Sequence, residues 1–209
     1  VTVTDPHAAP ASGRGDEDAR GHVGRRLRDV RSRTGVSVSE LARRLGISTS
    51  AVSQIERGVM QPSVSRLIAI TDALGVPLAT VFGPGPADDG DGDAPHGYTL
   101  TRAEDAAPLP LGGGVTFRRL APGDSPGIDY FESVYPPGST ATGKDRLFRH
   151  EGYEVGEVLT GELTIDFTDE IVVLRPGDTI SYPCDVPHRL HNTGSAPAVA
   201  RWLIVHPAR

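Results

Sequence analysis

Residues 84–97, Pro84-Gly-Pro-Ala-Asp-Asp-Gly-Asp-Gly-Asp-Ala-Pro-His-Gly97, cut the chain into two unlike halves. The stretch has no hydrophobic period, few apolar groups and four aspartates. It buries too little surface to offset its ordering entropy, and it reads as a flexible linker. The pattern before it has a helical period and the pattern after it alternates. The chain therefore divides into a helical unit over 22–83 and a β unit over 98–209, an α + β two-domain arrangement. Residues 1–21, rich in Ala, Asp, Gly and Pro, read as a disordered leader.

In the first unit Val23, Leu27 and Val30 recur at helical spacing. Ser37-Val-Ser-Glu40 supplies a cap and a capping box for a second helix. Leu41, Ala42 and Leu45 face inward there, and Gly46 stops it. Ser48 caps a third helix carrying Ala51, Val52 and Ile55, which ends at Gly58. Pro62-Ser63 opens a fourth with Leu67, Ile70, Ala73 and Leu74, ended by Gly75. Pro77 to Phe82 forms a short fifth. Five short helices joined by tight turns leave no room for a cleft.

Charge gives this unit a partner. Residues 22–83 hold nine arginines against four acids, a net of +5 that leaves −11 on the rest of a chain whose total is −6. A basic island in an acidic chain is the footprint of phosphate binding. Within it, residues 37–58 place two helices across the turn at Gly46. Ala42 is small where the helices cross, and Ile47, Val52 and Ile55 pin the second to the first. The opposite face carries Ser48, Thr49, Ser50, Ser53, Gln54 and Arg57, polar side chains short enough to enter a major groove about 12 Å wide. Gln54 has the paired groups that suit adenine. Ser and Thr suit phosphates or base edges, and Arg43, Arg44 and Arg57 suit the backbone. The spacing Leu41-Ala42, Gly46, Val52-Ser53-Gln54-Ile55-Glu56-Arg57-Gly58 and Pro62-Ser63 resembles the helix-turn-helix of phage-repressor-like regulators, the XRE family. The resemblance implies a five-helix repressor-like domain. It also implies that Thr49, Ser50, Ser53 and Gln54 face bases, and that a homodimer binds a near-palindromic double-stranded DNA operator.

The second unit consists of short alternating runs with Gly and Pro between them, as in an all-β sandwich or barrel. Asp129–Tyr135, Glu162–Phe167, Glu170–Leu174, Thr179–Tyr182 and Ala198–Val205 are the clearest. Gly (25) and Pro (18) are abundant and aromatics are only 5%, which favours many turns over one large core. His150 and Glu154 share parity, so on a strand they point to one face. The run Gly177–Asn192 adds His188. Two imidazoles and a carboxylate hold Fe(II), Mn(II) and similar ions with positions left open. These two segments, His150 through Glu154 to Gly161 and Gly177 through Pro183 and His188 to Asn192, resemble the two motifs of a cupin. The resemblance implies a double-stranded β-helix (jelly-roll) barrel over 98–209. It assigns a metal (Fe, Mn, Zn or Ni) to His150, Glu154 and His188. Phe148 replaces the first histidine of the usual pair, and Asp185 stands where a glycine is usual. Tyr130, Tyr135, Arg146, Tyr153 and Trp202 are candidates to line an effector pocket. His191 reads as a rim residue and Cys184 as a small buried hydrophobe.

A single cysteine permits no intrachain disulfide, and no stretch has the length and apolarity of a membrane span, so a cytoplasmic protein is expected. Three functions fit. The first is a transcriptional regulator whose cupin binds a small-molecule effector or a divalent metal. The second is a mononuclear non-heme iron oxygenase or epoxidase of the same head-plus-cupin build, using the triad. The third is a partner-binding module. The groove-compatible recognition face and its basic surround favour the first.

Overall fold

The computed structural model describes residues 14–82, 100–121, 125, 127–143 and 146–207. The expected linker and residues 1–13 of the expected leader lie outside these. Helix α1 (Arg14–Arg33) starts eight residues before position 22, so residues 14–21 belong to a helix rather than to a leader. α2 (Val38–Leu45), α3 (Thr49–Glu56) and α4 (Val64–Leu74) follow. The segment expected as a fifth α-helix is 3₁₀ over Leu78–Phe82. It is too short for an α-helical ladder and closes instead with a Thr80 N–H to Pro77 carbonyl bond of 3.0 Å. The head therefore has four α-helices among the described residues.

Three serines start the helices. Ser37, Ser48 and Ser63 accept from the backbone N–H groups of Glu40, Ala51 and Arg66, each cap contributing about 1 kcal/mol. Gly46 and Gly75 end α2 and α4 in the left-handed region, with φ of 62° and 68°. Glu40 does not close the capping box. Its carboxylate accepts from Arg43 and Arg44 instead. Val23, Leu27, Val30, Leu41, Ala42, Val52, Ile55, Leu67, Ile70 and Leu74 form the core of the head.

The β domain holds two antiparallel sheets. Strands are β1 (Leu109–Pro110), β2 (Thr116–Arg119), β3 (Ile128–Tyr135), β4 (Tyr153–Thr160), β5 (Leu163–Phe167), β6 (Ile171–Leu174), β7 (Thr179–Pro183), β8 (His188–His191) and β9 (Ala198–Val205). One sheet runs β1-β2-β3-β9-β4-β7 and the other β6-β5-β8. This is a sandwich-like pair of sheets, one of the two all-β arrangements that the alternating runs allow. Among the described residues no ladder joins the two, and β8 meets the 140–148 segment only through single bridges, Thr140 with His191 and Phe148 with His188. Phe131, Tyr135, Val158, Trp202 and Ile204 from the large sheet and Leu163, Ile165 and Leu190 from the small one are buried together.

Head and β domain pack into one continuous core. The Ser65 N–H donates to the Ala141 carbonyl (2.9 Å) and the Gly112 N–H to the Pro62 carbonyl (2.8 Å). Phe82 of the 3₁₀ segment stacks on Phe131, with ring centroids 5.2 Å apart. No helix among the described residues is long and apolar enough to cross a membrane.

Gly156 sets the middle of the large sheet. A Cβ there would lie 2.1 Å from the Trp202 ring, and Trp202 is held in place by its indole N–H bond to Ser133 Oγ (3.0 Å). Overpacking of this kind costs about 1–3 kcal/mol. Gly156→Ala is therefore expected to lower the urea midpoint without changing the slope, and an unchanged midpoint would show that Trp202 moves freely.

Candidate functional site

The face expected to meet DNA is built by α3. Ser48, Thr49, Ser50 and Arg57 are exposed, and Ser53 and Gln54 are half-buried. The Gln54 side-chain amide is 3.3 Å from Ser50 Oγ, which keeps it on that face. The apolar side of α3, Val52 and Ile55, is buried against the head core. Arg43 is exposed and forked onto Glu40 (2.8 and 2.7 Å). Arg44 reaches both Glu40 (2.8 Å) and the Ala73 carbonyl (2.7 Å), so it ties α2 to α4. The bonds from Arg43 and Arg44 hold the half-buried Glu40 carboxyl down to about 2.

What sequence reading missed in the head is an ion pair at the root of α3. Glu56 is 8% exposed and accepts from Arg31 Nε at 2.5 Å and from a second guanidinium nitrogen at 3.1 Å. Arg31 also donates to the Val36 carbonyl (2.8 Å). The pair joins α1, the α1–α2 turn and the end of the recognition helix. No local pattern signals it, because the partners are 25 residues apart. Beside it Gly24 lets α1 lie against α3, since a Cβ there would stand 2.5 Å from the Ile55 carbonyl oxygen.

The second site lies between the sheets. Ligand atoms of His150, Glu154 and His188 all fall within 4.8 Å of one another, and all three residues are buried. Glu154 Oε2 is 3.9 Å from His150 Nε2 and 3.8 Å from His188 Nε2. Both separations are under about 4.2 Å, twice a metal–ligand bond of about 2.1 Å. Both Nε2 atoms are buried without a hydrogen-bond partner among the described residues. An orphaned buried polar atom is costly, and two aimed at one carboxylate fit an ion. The Nδ1 atoms turn the rings: His188 Nδ1 is 2.7 Å from the Val186 carbonyl, and His150 Nδ1 is 3.2 Å from that of Glu151. A carbonyl only accepts, so the proton sits on Nδ1 and the Nε2 lone pair is free for a ligand role.

The electrostatics agree. Burial, and then the neighbouring His188, pushes His150 down to about 4. Burial also lowers His188. Burial raises the Glu154 carboxyl to about 7, opposed by the bond from the Tyr182 hydroxyl. Neutral imidazoles beside a carboxyl short of counter-charge are a set that a divalent cation completes.

His150 is not on a strand, contrary to the parity argument. β4 begins at Tyr153, and Gly152 intervenes at φ 118°. His150 is placed instead by its N–H bond to the Cys184 carbonyl (3.0 Å). Phe148, which stands where a further histidine would be usual, packs its ring 5.5 Å from His150 and 4.5 Å from His188. Tyr182 was missed. It donates to Glu154 Oε2 at 2.9 Å, and its signal was its inward parity opposite Glu154.

The five candidate pocket residues are scattered. Tyr135 and Trp202 are core, 1% and 2% exposed. They border a cavity of only about 20 Å³ that Glu154 also lines. Tyr130 is half-buried, while Arg146 and Tyr153 are exposed. His191 is 2.9 Å from Asp166 Oδ1, and Arg189 donates to Oδ2 of the same carboxylate. Cys184 is fully buried, and that burial lifts its thiol to about 12.

Residues 22–81 match the family model of a helix-turn-helix domain, and residues 131–206 match that of a cupin domain. The HTH-type transcriptional regulator PuuR of Escherichia coli (strain K12) is 26% identical over 159 residues, which cover 75% of this chain and 79% of PuuR. The solved structure of an HTH_3 family transcriptional regulator from Vibrio cholerae shares the fold, with a TM-score of 0.64 at 20% identity, over 92% of this chain and 99% of its own. A hydroxypropylphosphonic acid epoxidase from S. wedmorenis aligns over 90% of this chain and 99% of its own, at 19% identity and a TM-score of 0.46.

The two Nε2 atoms make a measurable demand. Wild-type protein is expected to take up about one divalent ion per chain, as one three-ligand set allows. His188→Ala is expected to lose it, as measured by elemental analysis after dialysis. Equal metal content in the two proteins would place the ion elsewhere.

Proposed function

Because the chain is a helix-turn-helix transcriptional regulator of the XRE type with a C-terminal cupin domain, we propose that it binds a near-palindromic operator as a homodimer and that its cupin domain answers to a small-molecule effector, with a divalent ion on His150, Glu154 and His188. The cytoplasm is the compartment that this reading requires.

The observation that carries the DNA-binding part is the α3 face. Ser48, Thr49 and Ser50 are exposed and uncharged, Ser53 is half-buried beside them, the one glutamine is aligned by Ser50, and Arg43 and Arg57 stand exposed in α2 and just after α3. Such side chains fit a major groove, with phosphates contacted on either side. The buried Arg31–Glu56 pair anchors the end of α3, so the face is presented by a rigid helix.

In the cupin domain a bound ion supplies Lewis acidity and fixed positive charge. The protein's own part is to hold the ligand atoms. Val186 and Glu151 fix the imidazoles through Nδ1, and Tyr182 orients the carboxylate. The cavity that Glu154 lines, about 20 Å³, has room for about one water molecule and none for an organic substrate.

The outer face of the large sheet supports the homodimer. Register aligns Ile128, Val205 and Tyr153 in one row and Tyr130, Leu203 and Val155 in the next. Ile128, Tyr153, Val155 and Val205 are each 40–45% exposed. A contiguous apolar sheet face suits a second copy of the same face, and a two-fold pair is what carries two heads to two half-sites.

Two outcomes follow. Gln54→Ala is expected to weaken operator binding by about 1–3 kcal/mol while leaving random-sequence DNA nearly unaffected; equal loss on both in a titration at fixed salt would remove Gln54 from base reading. Val155→Glu is expected to sediment as a monomer with an unchanged circular dichroism spectrum, and a dimer of that variant would exclude this face.

A further inference from the structure

A cavity of about 740 Å³ lies where the head rests on the β domain rather than between the sheets. The head contributes Ile68, Val76 and Leu78 to its wall, and the β domain contributes Gly127, Ile204 and Pro207. We propose that this cavity is the effector site, and that its ligand is a hydrophobic organic molecule without net negative charge, held between α4 and the ends of β3 and β9.

Size comes first. Ligand sites of drug-sized molecules measure roughly 300–1,000 Å³ and are mostly apolar with a few converging polar groups. This cavity falls in that range, whereas the space beside Glu154 is about 20 Å³. The residues that sequence reading offered for a pocket line the smaller space or none, and the larger one draws on residues from both halves of the chain.

Charge selects the ligand. The polar side of the cavity carries Asp72, Asp129 and Glu151 with His150 and His206. The adjoining cleft, about 330 Å³, shares Asp72, His150 and Glu151 and adds Asp185 and Arg149. Asp129 is taken up by His206 and the Ala79 N–H, and the other three carboxylates, Asp72, Glu151 and Asp185, against one guanidinium disfavour an anion in a partly desolvated site. The apolar wall favours a hydrocarbon or aromatic body.

Position supplies the coupling. Asp129, 1% exposed, accepts from the Ala79 N–H (3.2 Å) and lies 2.8 Å from His206 Nε2, so it ties the 3₁₀ segment of the head to β3 and the residue after β9. A molecule filling the cavity touches the same elements. Its affinity therefore differs between head placements, which is the requirement for a ligand to shift such an equilibrium. His150 lines the cavity as well, so the effector and the triad are neighbours. The role as effector rests on the regulator reading, while the binding itself does not.

The test uses the full chain without DNA. Nile red, neutral and apolar, is titrated into wild-type protein and into Pro77→Trp and Val76→Phe, which fill the cavity from the head side. Ile171→Trp, on the far β6 strand and already 68% exposed, is the control. We expect saturable fluorescence enhancement in the wild type and the control, with binding at least about tenfold weaker in both filled variants. The anionic probe anilinonaphthalene sulfonate is expected to bind at least about tenfold more weakly than Nile red. No saturable enhancement, or enhancement that both filled variants retain, overturns the site. Equal binding of the anionic probe overturns the assigned ligand charge. With no DNA present, these results stand or fall separately from operator recognition.

Discussion

The seating of β4 between β9 and β7 governs both faces of the large sheet. Glu154 is registered to Ile204 on one side and Tyr182 on the other. That places its carboxylate inward under the Tyr182 hydroxyl, while Tyr153 and Val155 point out. Strand geometry has a period of two, so a slip of one residue would exchange the two sets. It would carry Glu154 to the surface and bring Tyr153 and Val155 into the core. Gly156 opposes such a slip, because it is the only residue of β4 without a Cβ to meet the Trp202 ring. The buried position of Glu154 beside Tyr182 and the apolar outer face are thus two consequences of one register.

Burial then gives the inner groups their chemistry. Removed from water, the imidazoles lose their affinity for protons and the carboxyl gains it. In solvent the imidazoles would take up protons at about pH 6.5 and the carboxyl would ionise above about pH 4.3. Here they are ligand atoms short of a partner. The outer face of α3 follows the opposite rule, since Thr49, Ser50 and the adjoining Ser48 and Arg57 remain in contact with solvent. The two sites share a molecule but need opposite environments, which is one physical reason for separate domains.

Those domains are not independent bodies in this structure. Backbone bonds from Ser65 and Ala79 reach across to the β domain, and α4 lays Val64 and Ile68 against its core aromatics. The contact is apolar where α4 meets the sheets and polar around Asp129 and His206. A boundary of that mixed kind holds at modest cost and can be biased by a ligand placed in it.

Much of this was readable in the residues. The serine caps, the turn glycines and the inward apolar positions of the head are local features, and each behaves as its spacing indicates. The triad was readable as a set of residue types at familiar spacing, although His150 reaches its place through a loop bond to Cys184 rather than through strand parity. Less readable were features set by partners far apart in the chain. Arg44 was expected at the DNA backbone and bonds Ala73, and the Arg31–Glu56 pair gave no local sign. Tyr135 and Trp202, read as pocket residues, are core because β3 and β9 pair along their full length. The separation of the two sheets and the cavity beneath α4 belong to the same class. Sequence by itself determined the change from helical to alternating pattern, the caps of the head helices and the residue types of the buried triad, because periodicity, capping and residue chemistry act over a few positions. Only the tertiary structure decided which aromatics are buried, how the imidazoles are oriented and where an empty volume remains, because those depend on contacts that form once distant segments pack together.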